Sequence, residues 1–443
     1  RRFGWFVWIW NIGLVLTAGG MTVKGTLQVL GSASAESAAL AGVSGLGHVL
    51  LTVGFVLVFL IGVSLIYAAS GTLNIADLGA RVALLGAQDA WLLQVGAAVL
   101  ALAFLTKGAM WPLGFWLPTT YASASAPVGA MLVLMTKVGV YAVLRVWLAV
   151  FGEGAGAAEG FGFAALTLGG MATVLFGAIG MLASQDGGRM AGYGAIVSSG
   201  TLLAVIGHSG GAVLASGLYY LLGSTLAMAA FMLLIELTER IRPPGAALIA
   251  ITMEAFAIED KPEDPVGVGI PGTLAFLGLS FAACALVIAG MPPLAGFVAK
   301  FSLFHAMLAA APEGVPATTW GLIGLMILAG LAAIIALMRL GVRTFWASGA
   351  VTPPRLQLSE VLPVGGLVAL CVALTLQAEK GSASMQYCIL TATMGNKARA
   401  RLLWLKDEIV SSLKLYPDYK GSDFAEPKIY PLQMLAVTKE GNL

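Results

Sequence analysis

Three lysines lie within long apolar segments and are the residues of this chain best suited to do chemistry. Lys107 stands in LTKGAMWPLGFWLP, Lys137 in MLVLMTKVGVYAVLR and Lys300 in AGMPPLAGFVAKFSLFH. A charged side chain at the centre of a bilayer costs roughly 2.5–3.5 kcal/mol, and an amine removed from water loses its proton more readily. The three lysines therefore predict proton transfer inside a membrane. The alternative is that each lies near a helix end and reaches water with its long side chain.

Other polar side chains on these segments could order water between the lysines. His305 follows Lys300 on the same segment and could relay a proton, or it could be hydrogen-bonded near the outer surface. Each hydroxyl could instead serve only as a contact between packed helices. The hydroxyl candidates are Thr136, Tyr141, Tyr193, Ser198, Ser199, Tyr219, Tyr220, Ser224 and Thr225, of which Tyr141, Thr136, Ser224 and Tyr220 join His305 as the predicted supporting residues.

Lys107 and Lys300 both lie beside prolines and glycines. Proline removes a backbone donor and clashes with the preceding helical turn, so each segment is predicted to be a broken helix. Broken backbone at membrane depth is tolerated where it is buried in protein or lines a wet cavity. Paired interruptions in two halves of a chain indicate an ion site in an inverted-repeat transporter. The prolines concerned are Pro112, Pro118, Pro292 and Pro293.

The composition supports a membrane location for these segments. Of 443 residues, 59% are hydrophobic and 10% are charged, whereas soluble domains carry about 25% charged residues. The net charge of +2 offers no basic face for a nucleic acid. The three cysteines and three histidines lack the spacing of a zinc, haem or iron–sulfur site. We therefore expect no metal, no cofactor and no nucleic-acid partner.

Apolar runs near the length of about 20 residues that spans a hydrocarbon core divide most of the chain. They predict an all-α, polytopic membrane protein of about 9–10 transmembrane helices. The predicted spans are 46–70, 90–108, 127–150, 162–183, 191–207, 212–236, 271–306, 318–345 and 362–377, with a shorter Trp-rich run at 5–20.

Lysine and arginine in the short loops indicate the orientation of the spans. One side receives Arg189, Arg240, Arg339 and Arg343, whereas the loops 151–161, 208–211 and 312–317 on the opposite side carry no lysine or arginine. The first side is therefore predicted to be cytoplasmic, which places a multi-pass protein in the inner (plasma) membrane. The stretch from Gly71, GTLNIADLGARVALL, is predicted to be a short surface helix on the outer side.

The charges divide the chain into three regions. Residues 1–45 form an atypical N-terminal segment with one possible transmembrane helix, and 46–378 form the main transmembrane domain. The tail, 379–443, holds nine of the 24 Lys+Arg and seven of the 22 Asp+Glu, which predicts a polar segment with one amphipathic helix. Arg1 and Arg2 ahead of an apolar run could mimic a signal sequence, although no small-residue cleavage site stands out.

The stretch LTKGAMWPLGFWLPTTYASASAPVGAMLVLMTKVGVYAVLRVW resembles the antiporter-like subunits shared by respiratory complex I and the multisubunit Na+/H+ (Mrp-type) antiporters. GTLNIADLGARVA and GMPPLAGFVAKFSLF are most similar to the D-type subunit of the Mrp antiporters. The resemblance covers about 46–378. It implies two inverted five-helix repeats, each with a broken helix, and other membrane subunits as partners.

The resemblance also assigns roles to the lysines. It implies that Lys107 is the broken-helix lysine of the first repeat, Lys137 the bridging lysine on the next helix, and Lys300 the terminal proton-exchange residue. Family members normally carry a glutamate on the helix before the one at 46–70. Here the upstream run WFVWIWNIGLVLTAGG contains no acid, and Glu36 lies in a Gly/Ala/Ser stretch. The tail does not resemble the D-type subunits.

The leading hypothesis is a proton-conducting subunit of a Na+/H+ antiporter complex, in a lipid bilayer, with protons and Na+ as its ions. A proton-pumping subunit of complex I (NADH-quinone oxidoreductase) or of a related membrane hydrogenase would use the same residues, but this chain offers no redox site of its own. A carrier of a small organic solute should show aromatic and charged groups at the helix breaks. A non-transporting scaffold or fragment would have no reason to retain buried lysines.

Overall fold

The computed structural model describes residues 54–152, 154–208, 211–240, 271–310, 314–345 and 356–377. The predicted N-terminal segment 1–45, its possible span at 5–20 and the polar tail 379–443 lie outside the described residues. Within the described ranges every regular element is helical. The helices are α1 Gly54–Ser70, α2 Ile75–Val82, α3 Ala87–Lys107, α4 Leu117–Ser123, α5 Ala126–Phe151, α6 Phe163–Ala183, α7 Gly187–Ile206, α8 Gly211–Glu239, α9 Gly272–Ala289, α10 Ala295–Ala309, α11 Ala317–Phe345 and α12 Leu358–Leu376.

The all-α, polytopic prediction is confirmed. Eight of the described helices are long and apolar enough to cross a membrane, and α1 and α10 are shorter apolar helices. The predicted span 271–306 is two helices, α9 and α10, because the chain leaves the helix between Gly290 and Leu294. The predicted surface helix after Gly71 is the short helix α2.

The loops lie at two opposite ends of the bundle. At the end that we call inner, Arg339 of α11 donates to the carbonyls of Leu182 (2.7 Å) and Ser184 (2.6 Å) after α6. Arg240, after α8, pairs with Glu360 at the start of α12 at 2.7 Å. Both arginines thus lie at the end of the bundle to which the sequence assigns them. The opposite, outer end holds the loop between α5 and α6, which contains no lysine or arginine.

The two broken helices run in opposite directions through the bundle. Gln94, early in α3, contacts Ala157 in the outer loop at 3.4 Å, and α4 packs against Gly188 and Gly192 at the inner start of α7. Conversely, α9 starts at the inner end, and Ser302 of α10 meets Ser216 near the outer start of α8 at 3.3 Å. The opposed directions are those of an inverted repeat.

Helix α7 lies at the centre of the described bundle and α12 at its edge. In their spans, 83% of the residues of α7 are buried, against 11% for α12. Close packing of α7 depends on small residues: a Cβ at Gly170 of α6 would lie 2.7 Å from the carbonyl oxygen of Gly200. Helices in a membrane associate through such small-residue contacts. The centre of the bundle is therefore where a polar path between α5, α7 and α8 is shielded from lipid.

Candidate functional site

Lys137 is fully enclosed in the bundle and bound to hydroxyl groups. Its side chain is 3% exposed, and its Nζ donates to Ser198 Oγ at 2.7 Å and to Ser199 Oγ at 3.2 Å. The carbonyl oxygen of Ala195 lies 3.4 Å away. All three partners belong to α7, so the lysine of α5 is held by the central helix. A buried ammonium needs such acceptors because burial without them is strongly unfavourable.

The hydroxyl chain continues from α7 to α8. Ser198 Oγ donates to Ser224 Oγ at 2.9 Å, and Ser224 donates onward to the carbonyl of Leu221 at 3.2 Å. The hydroxyl of Tyr220, on the same helix, lies beside Ser198 and Thr201. The residues of three helices thus form one connected polar path that starts at Lys137.

This path opens into a cavity that also reaches Lys300. The cavity has a volume of about 20 Å³, which exceeds the roughly 10–15 Å³ that one buried water requires. Its lining includes Ser198, Tyr220, Ser224 and Lys300. The polar groups around it provide the several partners that a bound water needs. Lys137 and Lys300 are therefore connected through two serines and a space of water size.

Lys300 binds the end of the helix that precedes the second break. Its Nζ donates to the carbonyl oxygen of Ala289, the last residue of α9, at 2.7 Å. A positive charge at a helix C-terminus is stabilised by about 0.3–1 kcal/mol, and by up to ~2 kcal/mol where partly buried. Gly290, with φ +79°, gives the amine room, because a Cβ there would lie 2.8 Å from Nζ. Positive φ also favours glycine at this C-cap.

Lys107 is the last residue of α3 and half-buried. Its backbone packs against Gly139 of α5, two residues beyond Lys137. A Cβ at Gly139 would lie 2.9 Å from the backbone nitrogen of Gly108 and 3.1 Å from the carbonyl carbon of Lys107. The glycine therefore lets the first break approach the helix that carries the buried lysine.

The supporting residues divide into two groups. Ser224 and Tyr220 line the cavity, as described above. His305 of α10 and Tyr141 of α5 lie on exposed faces of their helices. Thr136 is buried, but its hydroxyl donates to the carbonyl of Val133 in its own helix at 2.7 Å. The structure thus brings Lys137, Lys300, Ser224 and Tyr220 together and leaves the other three outside the path.

The four prolines also have different positions. Pro112 lies in the first break, and Pro292 and Pro293 lie in the turn that precedes α10. Pro118 belongs to the first turn of α4, where the missing N–H costs nothing because that group has no helical partner. Pro118 therefore starts the second half of the first broken helix.

Several residues of the site carry only a weak signal in the sequence. Ser198 is one of nine candidate hydroxyls, and only the structure shows that it binds Lys137 and Ser224 at once. Gly139 and Gly290 are two of 57 glycines. The carbonyl of Ala289 has no sequence signal, because any residue supplies one.

Among the described residues no group of three or more His, Cys, Asp or Glu side chains could hold a metal ion. The site is instead built from amines, hydroxyls, backbone carbonyls and glycines. Such a set can bind, hold and pass protons, because amines and hydroxyls both donate and, when neutral, accept hydrogen bonds.

Three kinds of relatives align with most of the chain. It is 50% identical over 349 residues to the D-type subunit of a probable K(+)/H(+) antiporter of Rhizobium meliloti (strain 1021), covering 77% of this chain and 65% of that protein. It is 31% identical over 296 residues to the D-type subunit of the Na(+)/H(+) antiporter of Bacillus subtilis (strain 168), covering 67% of this chain and 54% of that protein. It is 27% identical over 303 residues to the N-type subunit of the NADH-quinone oxidoreductase of Ectopseudomonas mendocina (strain ymp), covering 68% of this chain and 56% of that protein.

The fold has a solved counterpart, and the N-terminus has a separate match. The structure of the Mrp complex from Dietzia sp. DQ12-45-1b contains a chain with a TM-score of 0.62 at 21% identity, covering 83% of this chain and 70% of that one. Residues 1–64 match a family described as "Protein of unknown function (DUF2871)". That match overlaps the described structure only in α1.

The inverted broken helices and the intramembrane lysines define an antiporter-like membrane subunit. Within that class, the predicted resemblance to the D-type subunits of multisubunit cation/proton antiporters is confirmed. It spans 65% of the length of the Rhizobium meliloti relative and 54% of the Bacillus subtilis one.

Proposed function

We propose that this chain is the proton-conducting membrane subunit of a multisubunit monovalent cation/proton antiporter in a bacterial plasma membrane. Its partners are the other membrane subunits of that complex. The observation that carries the proposal is the path from Lys137 through Ser198 and Ser224 to the cavity beside Lys300. A buried amine connected through hydroxyls to a second amine can receive a proton at one end and release one at the other.

The residues act in sequence along this path. The ammonium of Lys137 donates a proton toward Ser198, whose own proton moves toward Ser224, and water in the cavity carries it to the amine of Lys300. The carbonyl of Ala289 stabilises the ammonium that forms there. A membrane potential supplies about 2.3 kcal/mol per charge per 100 mV, which is enough to change the protonation equilibrium of such an amine more than tenfold.

The cation exchanged for the proton is K+ or Na+. The sequence hypothesis is Na+, and the Bacillus subtilis relative is named for Na+, whereas the more similar Rhizobium meliloti relative is named for K+. We favour K+ because that relative shares 50% identity with this chain. Flux assays with each ion in turn decide between them.

A second candidate is a proton-pumping subunit of the complex I type, which the Ectopseudomonas mendocina relative favours. The same lysines and serines would conduct protons in either assembly. The two candidates differ in the driving reaction: an antiporter responds to a cation gradient, and a complex I assembly responds to electron transfer in a partner. The higher identity to antiporter subunits supports the first.

Replacing Lys137 tests the proposal. The variant Lys137→Ala, in the assembled complex in everted membrane vesicles, should lose proton flux driven by a K+ or Na+ gradient. The flux is followed with a fluorescent dye that is quenched when the vesicle interior is acidic. The matched control is Leu134→Ala on the same helix, because Leu134 is 55% exposed and faces away from the path.

The proposal is wrong if Lys137→Ala retains the flux of the unaltered complex at equal membrane abundance. It is also wrong if neither cation drives flux while NADH oxidation does, since that outcome favours the complex I assembly.

A further inference from the structure

Two free cysteines lie at the seam between α9 and α12. Cys284 of α9 is 2% exposed and Cys371 of α12 is 4% exposed. Both line one small cavity of about 10 Å³, together with Val287, Leu294 and Val368 among others. Neither has a part in the proton path described above.

Among the described residues, the seam is flanked by exposed apolar side chains. Helix α12 is buried over only 11% of its span, and Val372, which lines the cavity, is 39% exposed. Leu279, one helical turn before Ala283 of the cavity wall, is 73% exposed. A hydrophobic molecule in the bilayer can therefore approach the thiols from the side, whereas a polar reagent in water has to cross apolar surroundings.

We propose that Cys284 and Cys371 form a redox-modification site at which a lipid-soluble quinone oxidises the two thiols to a disulfide. Two S–H bonds break and one S–S bond forms. The two electrons and two protons released reduce one quinone to one quinol. No other co-reactant is required, and a dithiol reductant reverses the reaction.

The bond would fix the first half of the second broken helix. Helix α12 is already tied to α8 at both ends, through the hydroxyl of Tyr219 to the carbonyl of Leu374 at 2.8 Å and through the Arg240–Glu360 pair at 2.7 Å. A bond to Cys284 would hold α9 to the same frame. Cys284 lies six residues before the glycine that ends α9, about 9 Å along the helix. Oxidation should therefore restrain the break beside Lys300, a consequence that rests on the proposed function.

The test uses the full chain in its complex in membrane vesicles, with Cys388→Ser throughout, so that only Cys284 and Cys371 remain. The vesicles are treated with decylubiquinone, whose fully substituted ring resists addition by thiols. Free thiols are then blocked with N-ethylmaleimide, and the protein is digested and analysed by mass spectrometry. We expect a linked Cys284–Cys371 peptide that is lost on reduction, and quinol in equal amount to the linkage. The single variants Cys284→Ser and Cys371→Ser are the matched controls.

The site proposal is overturned if no linked peptide forms while both thiols are shown by alkylation of the unfolded protein to be free. It is also overturned if the linkage appears equally in the unfolded chain, because folding would then not position the thiols.

Proton flux in the same vesicles is measured separately. We expect oxidation to remove most of the flux and reduction to restore it. If the disulfide forms and proton flux is unchanged, the inference that oxidation restrains the break is overturned. Absence of flux in untreated vesicles counts against the proposed function and leaves the linkage result intact.

Discussion

The two helix breaks are held in different ways. At the first break, between Lys107 and Leu117, backbone groups of the break make two contacts with neighbouring helices: Gly139 packs against the backbone of Lys107 and Gly108, and the N–H of Trp111 donates to Thr173 Oγ1 at 2.9 Å. The second break, which follows Ala289, is shorter, and a side chain spans it, because Lys300 of α10 binds the last carbonyl of α9.

The difference has a functional meaning. At the second break, the amine to which we assign proton exchange also bonds the two helix halves to each other. A change in its protonation therefore alters the restraint on the break. At the first break, the hydrogen bond from Trp111 and the packing of Gly139 do not involve an amine. We expect proton release at Lys300 to be coupled to local opening, and the following variants probe that contrast.

The largest effect is expected at Lys300. Lys300→Met preserves length but removes the donor to Ala289, so proton flux should be lost. Amide hydrogens of Gly290 and Met291, both bonded to the carbonyl of Leu286 at 2.9 Å, should exchange faster because the end of α9 loses its positive charge. Hydrogen-exchange mass spectrometry measures this. Phe301→Ala, at a neighbouring residue that is 61% exposed, is the control. Unchanged amide exchange in Lys300→Met would contradict the proposed difference between the two breaks.

Gly139 tests the backbone packing of the first break. Gly139→Ala places a Cβ against Gly108 and Lys107, and such overpacking costs typically about 1–3 kcal/mol. The free energy of unfolding in detergent should fall by that amount. Gly324→Ala is the control, since nothing lies within 4 Å of a Cβ there and alanine favours helix. Equal stability of the two variants would mean that the first break does not depend on this contact.

Thr173 should have a smaller effect on the same break. Thr173→Val keeps the shape but removes the acceptor of the Trp111 N–H, and a lost hydrogen bond of this kind costs about 1 kcal/mol. Amide exchange should rise at Trp111 and remain unchanged at Gly290. Thr344→Val serves as the control, because the Thr344 hydroxyl donates to Leu340 within its own helix. A rise at both breaks would show that they are coupled.

The smallest effect is expected far from both breaks. Asp77 and Arg81 of α2 form an exposed pair at 3.0 Å, and the bonds of Asp77 to Arg81 and then to Thr72 hold its pKa below the ordinary value. A depressed folded-state pKa contributes stability above the unfolded value, near pH 4, that disappears as the pH falls. Because exposed pairs contribute little, Asp77→Asn should leave the melting temperature at pH 7 unchanged. A clear fall there would give α2 a larger structural role.

Much of the architecture could be predicted from the sequence because the membrane imposes strict rules. Long apolar runs have to be helices, prolines interrupt them, and Arg339 and Arg240 lie at the end to which the loop charges assign them. The three lysines are identifiable for the same reason, since a charge among apolar residues is conspicuous. His305 and Tyr141 are suggested by proximity along the chain, and the structure places both on exposed surfaces, because position on a helix face cannot be judged without its neighbours.

The sequence by itself determined that this protein is a bundle of membrane helices with two breaks and three unusual amines, because hydropathy and proline act locally. Only the tertiary structure decided that Ser198 connects Lys137 to Ser224, that Lys300 turns back to the end of α9, and that the thiols of α9 and α12 share one cavity. Those contacts join residues on different helices, and their partners are set by how small residues such as Gly139 let the helices approach. That packing depends on the whole bundle at once and leaves no periodic signal in the chain.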